Sequence, residues 1–205
     1  MKFKKLFLLT AAVLSLCMVA GCGGNDKKAA NAGKAQAAGL QPAGNSHILI
    51  AYFTYSGNTE RLAKMLQQET GADLFKVETA EPYSQSYHAC VTRAKREKDN
   101  NERPALQVAK IEKMSSYDTV FIAYPNWCNS MPMAMNTFLE SNDMSGKKIV
   151  AFATSGGGGF GTGLADLPKL APQSTVEEGL HIPGSQVEDS GAVVAQWCQE
   201  KGYKK

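Results

Sequence analysis

Apolar runs alternate with amphipathic stretches along residues 46–205, and their spacing predicts five strand–helix units. The first run, residues 47–53, is almost continuously apolar, as expected for a strand covered on both faces. The stretch that follows, residues 59–71, carries leucine and methionine at helical spacing and ends in glycine. The predicted strands are 47–53, 72–79, 117–125, 146–155 and 174–182, and the predicted helices are 59–71, 84–104, 132–141, 161–171 and 186–202.

Repeated strand–helix units predict an α/β fold with a doubly wound parallel sheet. Five strands in the order 2-1-3-4-5 place a ligand site beyond the carboxyl ends of strands 1 and 3, where the strand order reverses. Three polar turns follow the first, third and fourth predicted strands: the first loop (54–59), the second loop (125–130) and the third loop (155–161). We therefore expect a ligand site where these loops meet.

The first loop has the composition of an anion cradle. It carries hydroxyls at Thr54, Ser56 and Thr59, with Gly57 and Asn58 between them. The N–H groups that open the next helix have no intrahelical partner and carry the positive end of the helix dipole, which suits a phosphate. The loop has no Lys or Arg and lacks the Gly-Lys-Ser/Thr ending of a nucleotide P-loop, which favours a phosphomonoester over a triphosphate with magnesium. The alternative is an ordinary polar N-cap at Ser56 or Thr59.

Residues 1–22 predict export and lipidation. Three lysines precede an apolar run from Leu6 to Ala20, which has the form of a bacterial secretory signal and not of a lasting transmembrane helix. The run ends in Val-Ala-Gly-Cys, which resembles the lipobox of bacterial lipoproteins. We expect Cys22 to carry the lipid and to hold the protein at the cell envelope, its sole attachment to a membrane. An ordinary cleavage site is the alternative.

Residues 23–45 predict a flexible linker, because their small and polar composition buries too little apolar surface to fold. The charges divide along the same boundary. The chain has 22 Lys and Arg against 19 Asp and Glu, and removing the three lysines of the signal leaves 19 of each. Without the three lysines and one aspartate of the linker, the domain keeps 16 basic and 18 acidic residues. The absence of a basic face argues against a nucleic-acid partner.

Cys90, Cys128 and Cys198 lie in the domain, and they show neither a CxxC motif nor metal-ligand spacing. An oxidising compartment permits a disulfide, and the sequence leaves open whether any two of them pair. The three histidines also lack metal spacing and a paired nucleophile, so we expect structural or surface roles for them and no metal.

The first loop closely resembles the T-x-S/T-G-x-T phosphate loop of flavodoxins, which bind flavin mononucleotide (FMN). The resemblance runs over roughly residues 47–200, in strand order and in all three loops. The segment YPNWCNSMPMAMNTFLE is similar to a bacterial flavodoxin-like subfamily that often carries Y-P-I-W-W-G-x-x-P. The resemblance implies a flavodoxin-like fold with FMN as cofactor, and phosphate binding by Thr54, Ser56, Gly57, Asn58 and Thr59.

For the second loop, the resemblance implies that Trp127 stacks on the flavin ring while Pro125 and Asn126 shape the turn. The chain departs from the subfamily at Cys128, where a second Trp is common, and at Asn129, where Gly is common. Asn tolerates positive φ best after Gly, so one-electron chemistry is still expected. We expect Cys128 to lie near the flavin and to modulate it. The alternatives are a core Trp beneath the loop and a small filler thiol.

The third loop is expected to bring backbone amides of Ser155, Gly156, Gly157 and Gly158 to the pyrimidine edge of the flavin, as the resemblance implies. Four consecutive glycines let the main chain act as donor, at an entropic cost that binding offsets. A mobile linker is the alternative. Tyr83, Tyr87 and Arg93 lie in or beside the predicted helix 84–104. They form either an outer wall over the cofactor or are ordinary packing and surface residues.

The resemblance implies an FMN-binding protein of electron transfer or oxidoreduction. A carrier would exchange electrons with a redox protein partner, whereas an enzyme would pass electrons from NAD(P)H to a small acceptor such as a quinone. The near-neutral domain weighs against a carrier, and the scarcity of nicotinamides outside the cytoplasm weighs against the enzyme. A different class of function is a non-redox binding lipoprotein that holds another phosphorylated ligand in the same cradle.

Overall fold

The computed structural model describes residues 40–41 and 47–205. Within them the strands are β1 (Leu40–Gln41), β2 (Ile48–Tyr52), β3 (Asp73–Lys76), β4 (Thr119–Pro125), β5 (Lys148–Ser155) and β6 (Thr175–Pro183). The helices are α1 (Asn58–Thr70), α2 (Tyr87–Asp99), α3 (Met133–Ser141), α4 (Gly163–Leu170) and α5 (Gly191–Glu200), with 3₁₀ turns at Met114–Ser116 and Gly184–Gln186. The predicted signal and lipidated Cys22 lie outside the described residues, as does the predicted linker apart from β1.

The strands form one sheet in the order β1-β3-β2-β4-β5-β6. Strands β2 to β6 are parallel, and counted along the chain they have the order 2-1-3-4-5, so the predicted fold class is confirmed. The sixth strand, β1, was not predicted. It pairs antiparallel with β3 through Leu40–Phe75 and Gln41–Leu74. The small and polar residues around it gave no alternating pattern to mark it.

Each face of the sheet carries its own apolar core. Along β2, Leu49 and Ala51 belong to one buried cluster and Ile50 to the other, because successive side chains point to opposite faces. The first cluster receives side chains from α2, α3 and α4, and the second receives them from α1 and α5. Each buried Leu, Ile or Phe contributes about 1.5–3 kcal/mol. The two clusters fix the carboxyl edge of the sheet, where the three loops lie.

Two predicted helices are shorter in the structure. The charged helix expected over 84–104 spans Tyr87–Asp99, and the left-handed φ of 51° at Asn101 accompanies the turn that follows it. The closing helix expected from 186 begins at Gly191, after a 3₁₀ turn and a hydrogen bond from the Ser190 hydroxyl to Val187 O. Serine and asparagine bond to nearby backbone and so favour helix ends over helix interiors.

A bulge between β5 and β6 changes which face of the sheet the end of β6 presents. Ala151 pairs with Glu178, but Ala153 pairs with His181, so β6 carries one extra residue there. A Cβ on Gly179 would lie 2.6 Å from Ala151 O, which makes glycine necessary at this bulge. Because residues paired across parallel strands share a face, the bulge puts His181 on the face of Ser155.

The described residues contain no helix that is both long and apolar enough to cross a membrane.

Candidate functional site

The first loop leaves the amino end of α1 open. Thr54 Oγ1 accepts the N–H of Gly57 at 3.1 Å, and Gly57 has a left-handed φ of 91°, which glycine adopts without strain. Gly57 is the N-cap residue, and no side chain bonds to the first-turn N–H groups. The alternative of a polar N-cap at Ser56 or Thr59 is therefore wrong. A Cβ on Gly57 would meet nothing within 4 Å, so open space lies beside the loop.

Three N–H groups open the first turn of α1, directly after Gly57. The first intrahelical bond of α1 runs from Arg61 N to Gly57 O at 3.0 Å, so the N–H groups of Asn58, Thr59 and Glu60 have no intrahelical acceptor. These groups and the helix dipole bind an anion without a cationic side chain. The side chain of Thr59 has another role: it is 1% exposed, and its hydroxyl lies 2.9 Å from Thr154 Oγ1 at the end of β5.

The second loop is a tight reverse turn. Trp127 and Ser130 exchange backbone hydrogen bonds of 2.8 and 2.9 Å, and φ is 51° at Cys128 and 60° at Asn129. Positive φ at both central residues defines a type I′ turn, which usually carries Asn-Gly or Gly-Gly. Asn129 tolerates this conformation well, whereas a left-handed Cys costs roughly 1–2 kcal/mol. Lys98 Nζ donates to Cys128 O at 2.6 Å, and Thr162 N donates to Asn129 O at 3.0 Å.

Trp127 is held in a cluster of aromatic rings. Its ring centroid lies 5.1 Å from that of Phe53, 5.7 Å from Tyr55 and 5.0 Å from Tyr83, in edge-to-face arrangements. Such pairs contribute about 0.5–1.5 kcal/mol each beyond their buried area. Trp127 is half-buried, so its ring is fixed in place and still reaches the surface of the site.

A buried ionic network supports this cluster from α2. Glu97, which is 2% exposed, accepts hydrogen bonds from the Tyr83 hydroxyl and from Arg93 Nε, the latter at 2.7 Å. The Arg93 guanidinium also lies 4.1 Å from the centroid of the Tyr83 ring. Burial and the Glu97 carboxylate raise the pKa of Tyr83 far above its usual value. Tyr83 and Arg93 are therefore packing residues, whereas Tyr87 is 76% exposed and stands at the rim of the site.

The third loop is held at its start by a serine. Ser155 Oγ accepts the N–H of Gly157 at 3.0 Å and lies 2.7 Å from His181 Nε2. A Cβ on Gly156 or Gly157 would meet nothing within 4 Å, so open space adjoins these glycines as it adjoins Gly57. The sequence predicted no partner for His181. In the structure its ring is hydrogen-bonded to Ser155, a predicted site residue.

Asn126 joins the second loop to the third. Its N–H donates to Thr154 O at 2.8 Å, and its side-chain Nδ2 donates to Gly158 O at 2.8 Å and to Gly159 O at 3.1 Å. A Cβ on Gly158 would lie 2.9 Å from Asn126 Nδ2, so an alanine here would displace the Asn126 amide. Thr154 therefore contacts both other loops, through Thr59 and Asn126, and all three predicted loops meet at one edge of the sheet. Pro125, the last residue of β4, pairs with Thr154.

A cavity of about 300 Å³ lies between the first two loops and α2. From the loops it is lined by Tyr55, Asn126, Trp127 and Cys128, and from α2 by Tyr87, Cys90, Val91 and Ala94. The lining is mostly aromatic and aliphatic and carries two thiols. It suits a flat apolar group.

The cysteines and the acidic and histidine residues of the described ranges form no group that could hold a metal ion. Cys90, Cys128 and Cys198 are all free thiols in the structure.

The comparison with protein families settles which family this arrangement represents. The flavodoxin family profile matches residues 47–201. The chain belongs to the flavodoxin family.

Solved structures agree with this assignment. The flavodoxin is similar to a provisionally assigned flavoprotein from Bacteroides eggerthii DSM 20697, with 34% identity, coverage of 72% of this chain and 97% of that chain, and a TM-score of 0.60. A second such flavoprotein, from Bacteroides uniformis ATCC 8492, has 30% identity, coverage of 74% and 97%, and a TM-score of 0.65. A flavoprotein in complex with FMN from Lactobacillus acidophilus NCFM shares the fold, with 21% identity, coverage of 69% and 96%, and a TM-score of 0.56. No curated protein matches the chain significantly.

The site of this flavodoxin fits FMN, which the family assignment supports as its cofactor. The open N–H groups at Asn58 and Thr59 suit a phosphate, and the open space beside Gly156 and Gly157 leaves room for the edge of a ring. Trp127 supplies a fixed aromatic surface. These features match the chemistry of a phosphomonoester joined to a flat polar-edged ring.

Sequence reasoning missed several residues that shape this flavodoxin site. Thr154, Lys98 and Glu97 were not singled out, and His181 was expected to be structural or on the surface. Lys98 and Glu97 lay in a charged helix in which nothing distinguished them from solvated neighbours. Arg93 and Glu97 have the spacing of a helical ion pair, but Lys95 and Asp99 share it in the same helix, so the spacing does not single out Glu97.

Proposed function

We propose that this flavodoxin binds FMN and takes part in electron transfer or oxidoreduction while a lipid anchors it at the cell envelope. The observation that carries the redox role is the meeting of three loops at one edge of the sheet, with an open helix end, a fixed Trp and exposed glycine amides. FMN supplies the redox chemistry when it is bound.

The residues of the chain bind, orient and shield this cofactor. The N–H groups of Asn58 and Thr59 hold the phosphate, and Gly57 lets the backbone approach it. Trp127 excludes water from the ring, and its contacts with Phe53 and Tyr83 prevent it from turning away. Main-chain donors of the third loop meet the polar edge of the ring.

Reconstitution with FMN and with riboflavin tests this function. We expect a yellow protein that quenches the fluorescence of both flavins and binds FMN more tightly, because riboflavin lacks the phosphate that the first loop holds. Cys198→Ser provides a control variant, because Cys198 is buried in α5 on the face of the sheet opposite to Trp127. A colourless protein whose melting temperature is unchanged by FMN would contradict the proposal. It would leave the second class of function, a binding lipoprotein for another phosphorylated ligand.

The electron donor and acceptor define two variants of the redox role. The apolar cavity beside Trp127 favours a small acceptor such as a quinone, whereas a carrier would use a redox protein partner. Anaerobic mixing of NADH or NADPH with the FMN-loaded protein, with and without a quinone, separates them. Steady oxidation that depends on the quinone indicates an enzyme, and its absence together with reduction by a partner protein indicates a carrier.

The anchor rests on residues 1–22 and is tested separately. The full chain, expressed with a clickable fatty acid, should incorporate the label and fractionate with membranes. The Cys22→Ser variant should lose both properties, while Cys17→Ser should keep them. Label at a position other than Cys22 would contradict the proposed anchor without affecting the flavin.

A further inference from the structure

Two thiols from different elements line the same cavity beside the second loop. Cys128 belongs to the type I′ turn and is exposed, whereas Cys90 belongs to α2 and is 3% exposed. Neither thiol has a role in holding FMN in the arrangement described above. An accessible thiol beside a buried one is the usual layout of an attacking and a resolving cysteine.

The Cys90 thiol faces several polar and charged groups around the cavity. Burial raises the pKa of the Cys90 thiol, and negative charge at Glu97 and Cys128 raises it further, while the Tyr55 hydroxyl and the Arg93 guanidinium lower it. Charge on one thiol is therefore felt by the other across the cavity. Burial therefore favours the protonated form of Cys90.

A lysine of α2 holds the turn that carries Cys128. Lys98 Nζ donates to the Cys128 carbonyl at 2.6 Å, so one ammonium group of α2 lies beside the turn. A thiolate, and not a thiol, is the species that attacks a disulfide.

The backbone gives an independent reason to assign a role to this side chain. Cys128 has a φ of 51°, where an L-residue other than Asn or Asp is strained, and glycine would remove the strain. Strained backbone that persists at a site indicates a functional constraint on the residue that carries it. The cavity lining and the strained backbone therefore both mark Cys128 as a functional residue.

We propose that Cys90 and Cys128 form a redox pair that transfers electrons from FMN, bound as described above, to a disulfide substrate. The Cys128 thiolate attacks the substrate disulfide and releases one substrate thiolate, which takes up a proton. The Cys90 thiol passes its proton to the departing substrate sulfur as it attacks Cys128, which releases the second substrate thiol and closes a Cys90–Cys128 disulfide. Two electrons and two protons, which reduced FMN would supply when bound, return the pair to two thiols. The two thiols are free in the structure, so closing an S–S bond of about 2.05 Å brings the two sulfurs together.

Peptide mapping of the flavin-free full chain tests whether the pair forms. Trypsin cleaves after Arg93 and after Lys113, so Cys90 and Cys128 fall on separate peptides. After equilibration with oxidised glutathione, we expect these two peptides to be linked and Cys198 to remain unlinked. Absence of the link would overturn the proposal whether or not the protein binds FMN.

An anaerobic titration of the FMN-loaded protein tests the exchange of electrons. After oxidation, the wild-type protein and Cys198→Ser should each take up four electrons, two more than the flavin alone accepts. Cys128→Ser, which changes an exposed residue, should take up two. A two-electron titration of the wild type would overturn the relay while leaving the flavin function intact. A protein that binds no FMN would refute the proposed function, and the peptide map would still decide the pair.

Discussion

Ser155 Oγ lies 2.7 Å from His181 Nε2, and the same oxygen accepts the N–H of Gly157 at 3.0 Å. The imidazole on β6 therefore fixes the serine, and the serine fixes the third loop. When Nε2 accepts the serine proton, the serine O–H and the loop N–H each have a defined acceptor. The histidine is a positioning residue for the loop, because it contacts the loop through Ser155 and through the ring of Phe160.

Replacing His181 by Ala should loosen the third loop and weaken flavin binding. The loss of one hydrogen bond of about 1 kcal/mol corresponds to roughly fivefold in Kd. FMN and riboflavin should be weakened equally, because the loop is expected to meet the ring and not the phosphate. Fluorescence quenching measures both constants. The exposed His88 provides the control, and equal binding by His181→Ala and His88→Ala would contradict this role.

Two glycines of the third loop should respond differently to alanine. Gly156→Ala places a methyl group in open space, so we expect the free energy of unfolding to change by no more than about 0.5 kcal/mol. FMN affinity should fall, because the methyl group occupies space beside the expected ring. Gly161→Ala puts a Cβ 2.6 Å from the Asn129 carbonyl carbon at a φ of 57°, and should destabilise the fold itself. Urea unfolding and FMN titration of both variants separate the two effects.

Tyr83→Phe should lower stability and leave FMN binding in place. The change removes a donor to the buried Glu97 carboxylate, and an unsatisfied buried acceptor costs about 1–3 kcal/mol. The ring that packs on Trp127 is retained, so the stacking surface is preserved. Tyr87→Phe is the matched control, since its hydroxyl belongs to an exposed side chain. Similar urea midpoints for the two variants would show that Glu97 does not depend on Tyr83.

Stability should fall at alkaline pH through Tyr52. Burial, with Glu60 and Glu78 nearby, raises the pKa of Tyr52 from 10.0 to about 12. The folded state holds the phenol proton more tightly than the unfolded state, so this contribution is complete below the unfolded pKa and is lost as pH rises toward 12. The linked free energy is roughly 2 kcal/mol. Urea unfolding of Tyr52→Phe should show a smaller decrease than the wild type over this interval, and equal decreases would exclude Tyr52 as the source.

The strand order and the location of the site were predictable because both depend on short-range patterns. Continuous apolar runs mark β2, β4 and β5 as strands covered on both faces, and the polar loops must follow at their carboxyl ends. The presence of glycine at position 57 also had a local reason, the left-handed backbone that opens α1.

The contacts between loops could not be predicted in this way. Without the bulge, the pairing of Ala151 with Glu178 would continue and His181 would pair with Thr154, on the face opposite Ser155. One extra residue in β6 reverses that outcome, and nothing in the apolar pattern of this weak strand reveals it. The positive φ of Cys128 was hidden for a similar reason, since turn type I′ is normally inferred from a glycine that this loop lacks.

The short strand β1 determines where the domain can be cut. It covers the outer side of β3 by pairing with Leu74 and Phe75. A protein shortened to begin at residue 46 would present those peptide groups to solvent as a template for strand addition by a second molecule. We therefore expect such a fragment to self-associate at high concentration, and one that begins before Leu40 to stay monodisperse. The boundary that the fold requires lies upstream of the one that its hydrophobic pattern suggests.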